Sequence, residues 1–298
     1  MNLNNIFTNF IKKENLSNQK ILLMVSGGVD SRVLLEVSSC NIDKKNLAVF
    51  HLNHCPGDTE KISHYEFVKN LCEKKGIKFY GENLEKIPNK DKENYWRKQR
   101  KKFSQKYAKN FGAKKILTAH HATDLVETMI FRLTKGSGIK GLCPFDISTK
   151  PFWQVPKTEL EDYEKKNNLE FKKDFSNDLD IFERNLIRKN VLPYLRKITP
   201  NLEKIFVKEF QIFEETYLFL EQEIEKINIK KKSIPIDIFQ KLSPIIQKEL
   251  LRKIVKKIPS YSETEDFFKW IKNTPKGNSQ KNLGETKFFV KQNFLVWS

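Results

Sequence analysis

The apolar run Ile21 to Val25 breaks directly into Ser26-Gly27-Gly28-Val29-Asp30-Ser31, which then continues with helical periodicity. A strand that ends in paired glycines and reopens as a helix commits this region to an α/β layer. The turn's backbone N–H groups and the positive end of the helix converge there on an anion. Gly27 and Gly28 let a phosphate approach the main chain closely, and Ser26 and Ser31 add hydroxyl donors. Asp30 is out of place beside phosphate unless a cation lies between them, which assigns it to Mg²⁺ or to positioning a pyrophosphate group. The turn is not a Walker loop, because the spacing G-x-x-x-x-G-K-[ST] and its lysine are absent.

Short apolar runs alternate with amphipathic stretches from Lys20 to about Phe152. Strands are expected at Ile21 to Val25, Leu47 to Leu52, Lys78 to Gly81 and Lys115 to Ala119. Helices are expected at Ser31 to Ser39, Glu60 to Lys75, Glu93 to Phe111 and Asp124 to Thr134. This is the pattern of an α/β, doubly wound parallel sheet, whose ligands sit at the carboxyl ends of the strands. A looser polar segment from Gly136 to Asn185 carries one short helix, Thr158 to Asn167, and Pro193 and Pro200 bracket a boundary. The chain is therefore expected to divide into a catalytic domain, 1–198, and a smaller, mainly helical domain, 199–298. In the second domain Phe206, Phe210, Phe213, Tyr217 and Leu220 recur at helical spacing as a packing stripe on a helix from Asn201 to Ile229. Shorter helices follow at Ile236 to Lys257 and Glu263 to Asn273, and Thr286 to Val290 with Phe294 to Trp297 form a closing β-hairpin around Gln292-Asn293.

The composition, 39% hydrophobic and 31% charged over 298 residues, is that of a globular domain with a real core. The longest apolar run near the start is too short to span a bilayer and no secretory segment is evident, so a cytoplasmic protein without membrane contact is expected. Cys40, Cys55, Cys72 and Cys143 form no C-x-x-C pair, which argues against a zinc ribbon or a disulfide framework and for reduced, buried thiols. The formal charge is +18, and it is concentrated: Arg97 to Lys115 holds nine Lys or Arg and no Asp or Glu. A polyanion is the natural partner of such a helix.

The glycine turn resembles the S-G-G-x-D-S pyrophosphate loop of the N-type ATP pyrophosphatases, the PP-loop superfamily. Four further stretches narrow the resemblance: His51-Leu52-Asn53-His54, the E-x-x-x-R-x-x-R of Glu93 to Arg100, Ala119-His120-His121-Ala122-Thr123-Asp124 with Glu127-Thr128, and Gly136-Ser137-Gly138-Ile139-Lys140-Gly141-Leu142. With Asp174-Phe175-Ser176-Asn177 and Arg184-Asn185-Leu186-Ile187-Arg188 they resemble, over residues 20 to about 195, the tRNA(Ile)-lysidine synthetase family. That resemblance implies ATP as cosubstrate with Mg²⁺. It further implies an isoleucine tRNA with a CAU anticodon and free L-lysine as partners, and lysidine formed through an adenylated wobble cytidine, so that the tRNA reads AUA in place of AUG. Departures from the family pattern are Cys55-Pro56 after the H-x-N-H element, Thr123 where many members have a second acid, Lys101 after Arg100, and Lys150 before Pro151.

The residues themselves set the roles to be tested. Ser26, Gly27, Gly28, Asp30, Ser31, His51 and Asn53 are the candidate nucleotide-binding set, with Asp30 also the candidate Mg²⁺ ligand. Asp124, one turn into a helix at a strand's carboxyl end, suits an incoming ammonium and its deprotonation; capping that helix is its alternative. Arg97 and Arg100 share a helical face and fit phosphate or the lysine carboxylate, against the reading of a solvated basic face. Asp30, Asp124 and Arg97 are the catalytic candidates; Arg97, Arg100, His120, His121, Asp124 and Glu127 are the substrate-binding ones. His51, His54, His120 and His121 are expected at two neighbouring strand ends, contacting nucleotide or base in preference to zinc, since no third ligand class completes a metal site. The helical tail suits further tRNA contacts or formation of a homodimer. A tRNA thiolase is the rival within this chemistry, although it would want paired cysteines near the nucleotide. A non-catalytic RNA-binding protein is the rival outside it.

Overall fold

The computed structural model describes residues 2–53, 59–84, 92–172, 183–227, 229, 232–273 and 279–298, with the backbone alone at 59–61 and 92–93. His54, Cys55-Pro56 and Asp174-Phe175-Ser176-Asn177 lie outside the described residues. Contacts divide the chain into two compact units, Met1–Gln211 and Ile212–Ser298. The division falls inside one long helix, α10 (Leu202–Glu225).

In the first unit β1 (Ile21–Met24), β2 (Leu47–Asn53), β3 (Lys78–Asn83) and β4 (Lys115–Leu117) form a parallel sheet in the order β3-β2-β1-β4. The period-two alternation of strands sends Ile21, Leu23, Leu47 and Val49 to one face and Leu22, Ala48, Phe50 and Leu52 to the other. The first face is covered by α1 (Leu3–Lys13), α2 (Val29–Asn41), α3 (Thr59–Lys75) and α7 (Lys157–Lys166) through Phe7, Val33, Val68 and Leu160. The second lies under α4 (Lys92–Phe111), whose Tyr95, Trp96, Phe103, Tyr107 and Ala108 pack on it. Each such fully buried side chain contributes about 1.5–3 kcal/mol of transfer free energy, so this two-sided burial is what fixes the doubly wound layer. β2 and β3 follow β1 on one side and β4 lies on the other, which makes the β1/β4 boundary the topological switch point.

Several elements differ from the sequence pattern. Helix α1 occupies a stretch that scans as polar, yet Leu3, Phe7, Phe10 and Ile11 fall on one face and are buried. Strand β4 stops at Leu117 because the next N–H, that of Thr118, leaves the sheet to donate to Thr149 O (3.0 Å). The expected helix Ile236 to Lys257 is two helices, α11 (Ile236–Lys241) and α12 (Pro244–Ile254), since Pro244 cannot continue the first and opens the second. Of the cysteines, Cys72 is buried but Cys40 is exposed, which corrects the expectation of uniformly buried thiols.

The second unit pairs α11, α12 and α13 (Tyr261–Asn273) with an antiparallel sheet in the order β5-β8-β7-β6. The expected hairpin is its centre, β7 (Thr286–Lys291) and β8 (Phe294–Trp297), and Gln292 and Asn293 both take positive φ, as a type I′ turn requires. β6 (Ser279–Leu283) and β5 (Ser233–Pro235) complete it. Phe267 of α13 packs edge-on to Phe288 of β7 with ring centroids 4.7 Å apart. Gly284, at φ +52, turns β6 into β7 where an added Cβ would lie 1.8 Å from Lys257 O, so only glycine fits.

Candidate functional site

The turn between β1 and α2 is held open by one side chain. Ser31 Oγ accepts from the N–H groups of Ser26 (3.1 Å) and Gly27 (3.2 Å) and donates to Gly28 O (3.0 Å). Ser31 is thus the internal brace of the loop, and the exposed Ser26 hydroxyl, 3.1 Å from it, is the one facing outward. Gly27 sits at φ +95 and Gly28 is the N-cap of α2, whose first N–H groups have no intrahelical acceptor and form the anion-binding end. Behind the loop the buried His51 donates from Nδ1 to Val25 O (2.8 Å), bracing the strand end. Asn53, also buried, accepts at its carbonyl from Leu84 N–H (2.9 Å).

Across the switch point, helix α5 (Ala122–Thr134) begins with a reciprocal cap: His121 N–H donates to Asp124 Oδ2 (3.1 Å), and Asp124 N–H donates to His121 Nδ1 (3.3 Å). The capping alternative for Asp124 is therefore what its Oδ2 does. With Nδ1 accepting, His121 Nε2 carries a proton and faces two carboxylates, Asp30 Oδ2 at 3.7 Å and Asp124 Oδ2 at 3.5 Å. The remaining Asp124 oxygen lies 3.5 Å from Arg188, which grips both oxygens of the buried Glu127 at 2.6 and 2.8 Å. Arg188 comes from a five-residue π-helical stretch, Ile187–Val191, between α8 (Glu183–Leu186) and α9 (Leu192–Ile198).

Charge follows from this web. Burial pushes the Asp30 carboxyl up, but the His121 N–H facing it at 3.7 Å and the positive charges of Lys157 and Arg188 nearby outweigh it and hold the pKa below the usual carboxylate range. Burial pushes His121 down, but Asp124 first, then Asp30 and Glu127, raise it above the ordinary imidazole value. The His121 contribution to stability is accordingly complete below the ordinary imidazole range and lost as pH rises through the raised value. The Asp30 contribution is present above the ordinary carboxylate range and lost as pH falls through the depressed one. By NMR, the His121 imidazole midpoint is expected to fall in Asp30→Asn; an unchanged midpoint contradicts the pairing.

Asp30 Oδ1 is buried and without a hydrogen-bond partner, an oxygen that suits a hard cation shared with phosphate. No group of three or more His, Cys, Asp or Glu side chains able to hold a metal occurs among the described residues, so such a cation would complete its shell with phosphate oxygens and water. The histidines do not form the expected pair of neighbouring strand ends: β1 separates β2, which carries His51, from β4, which precedes His120 and His121. His120 turns the other way from His121, with Nδ1 2.8 Å from Thr118 Oγ1 and its ring edge-on to Phe145. Its outer edge is exposed, yet the protein packed around it lowers its pKa, helped by Lys150 and opposed by Asp124.

Arg97 and Arg100 are exposed on α4, and Arg97 donates to Asn94 Oδ1 (3.0 Å). Arg132 of α5 donates to Gly141 O (2.7 Å) in the short helix α6 (Ile139–Leu142). Arg97 and Arg184 are close enough to Arg132 to lower its pKa after burial has done so, which marks a place short of negative charge. Glu127 is placed as the anchor of Arg188, while Asp30, His121 and Asp124 meet at one point. Arg188, Arg184 and Lys157 were absent from the candidate set; the i, i+4 spacing of Arg184 and Arg188 was the available signal. Removing one partner of a buried pair strands the other's charge. Arg188→Met is therefore expected to cost about 2–3 kcal/mol in urea unfolding, below the roughly 3–5 kcal/mol of a fully buried pair because the guanidinium side chain is about one-third exposed. Adding Glu127→Gln is expected to recover most of that loss.

Residues 1–195 match the model of the PP-loop domain family. Over 283 residues the chain is 34% identical to a tRNA(Ile)-lysidine synthase of Petrotoga mobilis, covering 88% of this chain and 89% of that protein. It is 32% identical over 206 residues to a tRNA(Ile)-lysidine synthase of Clostridium tetani, covering 64% of this chain and 44% of the longer relative. Among solved structures, the U34-tRNA thiolase NcsA from Methanococcus maripaludis with its [4Fe-4S] cluster superposes with a TM-score of 0.54 at 14% identity, over 70% of this chain and 79% of that one. At that identity the likeness is one of fold. No helix among the described residues is long and apolar enough to cross a membrane.

Proposed function

The chain belongs to the PP-loop family and, within it, to the tRNA(Ile)-lysidine synthases, a family of ATP-using ligases that modify tRNA; from that premise we propose that it joins free lysine to the wobble cytidine of a CAU-anticodon isoleucine tRNA in the cytoplasm. The observation that carries this reading is the meeting of two functions on one imidazole. Asp30, from the phosphate loop, and Asp124, at the head of α5, lie 3.7 and 3.5 Å from the same His121 nitrogen. A triphosphate on the loop and an amine on Asp124 would thus lie on either side of one imidazole N–H.

In the first half-reaction the cytidine 2-oxygen attacks the α-phosphorus of ATP, and the bond to the β-phosphate oxygen breaks to release pyrophosphate. The N-terminal N–H groups of α2 bind the phosphates and Arg97 and Arg184 meet charge at the mouth. Mg²⁺ held through Asp30 would neutralise charge on the phosphates. In the second half-reaction the lysine ε-amine, after losing a proton, attacks C2, and the C2–O bond breaks to release AMP. Asp124, held by the His121 N–H and flanked by Arg188, is the carboxylate placed to orient the ammonium and receive that proton. His121, with its Nε2 proton facing both carboxylates, lies between Asp30 and Asp124.

The test is a single assay with purified chain, ATP, labelled lysine and a CAU-anticodon transcript, scored for covalent transfer and for pyrophosphate. Transfer that requires both ATP and the transcript supports the reading. RNA binding without pyrophosphate release would instead indicate a non-catalytic binder. Release that needs a sulfur donor and no lysine would indicate a thiolase.

A further inference from the structure

Strand β3 is one edge of the parallel sheet among the described residues, and α4 lies across the neighbouring sheet face, where its Tyr107 and Phe111 meet Tyr80 of β3. Their shared surface carries half-buried aromatic rings, each covered by a lysine. Lys106 lies 5.0 Å from the Tyr107 ring centre, Lys78 5.7 Å from Tyr80 and Lys20 5.1 Å from Phe111. Tyr80 stacks on Tyr107 at 4.9 Å and meets Phe111 at 6.4 Å, so the rings form one continuous strip. At the start of β3 the strip opens into a shallow cleft that Lys44 and Lys45 border together with Lys78, Tyr80 and Phe111. The acids that contact this surface's lysines and tyrosines among the described residues are already engaged. Glu82 accepts from Tyr107 O–H and lies 3.9 Å from Lys106, and Asp43 lies 3.9 Å from Lys45.

The geometry points to this strip as a track for the phosphodiester backbone of the RNA stem that follows the loop held at the site. This rests on the tRNA reading above and extends it to where the rest of the molecule lies. From Arg97 to Phe111 the helix rises about 20 Å, at roughly 1.5 Å per residue. The cleft therefore lies beyond the reach of the loop itself but in line with its stem. Because the ring faces are occupied by ammonium groups, they are not open platforms for bases. The ammonium groups in turn present positive charge outward, which suits phosphates and carries no sequence preference. The same lysines oppose pairing of this edge strand with a second copy of the chain.

The track is tested with Lys44→Ala/Lys78→Ala, at positions outside the catalytic set, against two RNAs. One is the full-length CAU-anticodon tRNA and the other a hairpin of its anticodon loop closed by two base pairs. For the full-length RNA the slope of log affinity against log salt is expected to shrink by about 1 to 1.8, at up to roughly 0.9 for each of the two phosphates no longer neutralised, with a several-fold or larger loss of affinity at low salt. For the hairpin, affinity and lysine transfer are expected to stay as in the unaltered protein, which also shows that the variant is folded. Equal slopes for the variant and the unaltered protein on full-length tRNA overturn the track while leaving the proposed function standing. Equal losses on both RNAs overturn it as well. If the unaltered protein neither binds nor modifies either RNA, both readings fall.

Discussion

Asp30→Ala is expected to lower tRNA-dependent pyrophosphate release by at least about 100-fold, the scale seen when one aligned electrostatic group is removed from a phosphoryl or acyl centre. The effect follows from placement: Asp30 Oδ1 is buried, unpartnered and in the first turn of α2, beside the loop that should receive the triphosphate. Stability should change little, by about 1 kcal/mol or less, because the side chain is about one-third exposed and contacts His121 at 3.7 Å without packing in the core. Pyrophosphate release and thermal unfolding measured side by side test this. Release at the unaltered rate removes Asp30 from the site, and gross unfolding shows that its role is structural.

Asp124→Asn should separate the two half-reactions. Asparagine keeps an oxygen to accept the His121 N–H, so the head of α5 survives, but it loses the charge that holds an ammonium and the basicity that takes its proton. In single-turnover measurements lysine transfer is expected to slow by about 100-fold and the pyrophosphate burst by less than about 10-fold. Equal slowing of both steps would mean that Asp124 serves through its cap and its contact with Arg188, not through the amine.

The parts of the fold written in short windows are legible in the sequence. A strand, two glycines and a helix start define the phosphate loop within ten residues, and the alternating apolar runs define the sheet around it. Gln292-Asn293 is legible as a turn for the same reason, since its backbone demands are local. What stays hidden depends on partners distant along the chain. The grip of Arg188 on Glu127 joins residues 61 positions apart, and nothing local marks Glu127 as buried and paired instead of open to substrate. The place of β1 between β2, which carries His51, and β4, which leads to His120 and His121, is likewise a fact of strand order, which periodicity does not encode. β5 and β6 escape because one is three residues ending in proline and the other, Ser-Gln-Lys-Asn-Leu, is polar and takes its strand form from pairing with β7. Helix α1 was legible in principle through Leu3, Phe7, Phe10 and Ile11, a spacing that a scan for secretion signals passes over.

The hydroxyl of Ser31 ties the first residues of the glycine turn, Ser26 and Gly27, to Gly28 at the head of α2. A main chain with this much freedom would otherwise sample many shapes between turnovers and lose entropy each time a nucleotide arrived. With the curvature already set during folding, that ordering cost falls on the fold as a whole and not on each encounter with ligand, so more of the intrinsic attraction for phosphate is expressed as affinity.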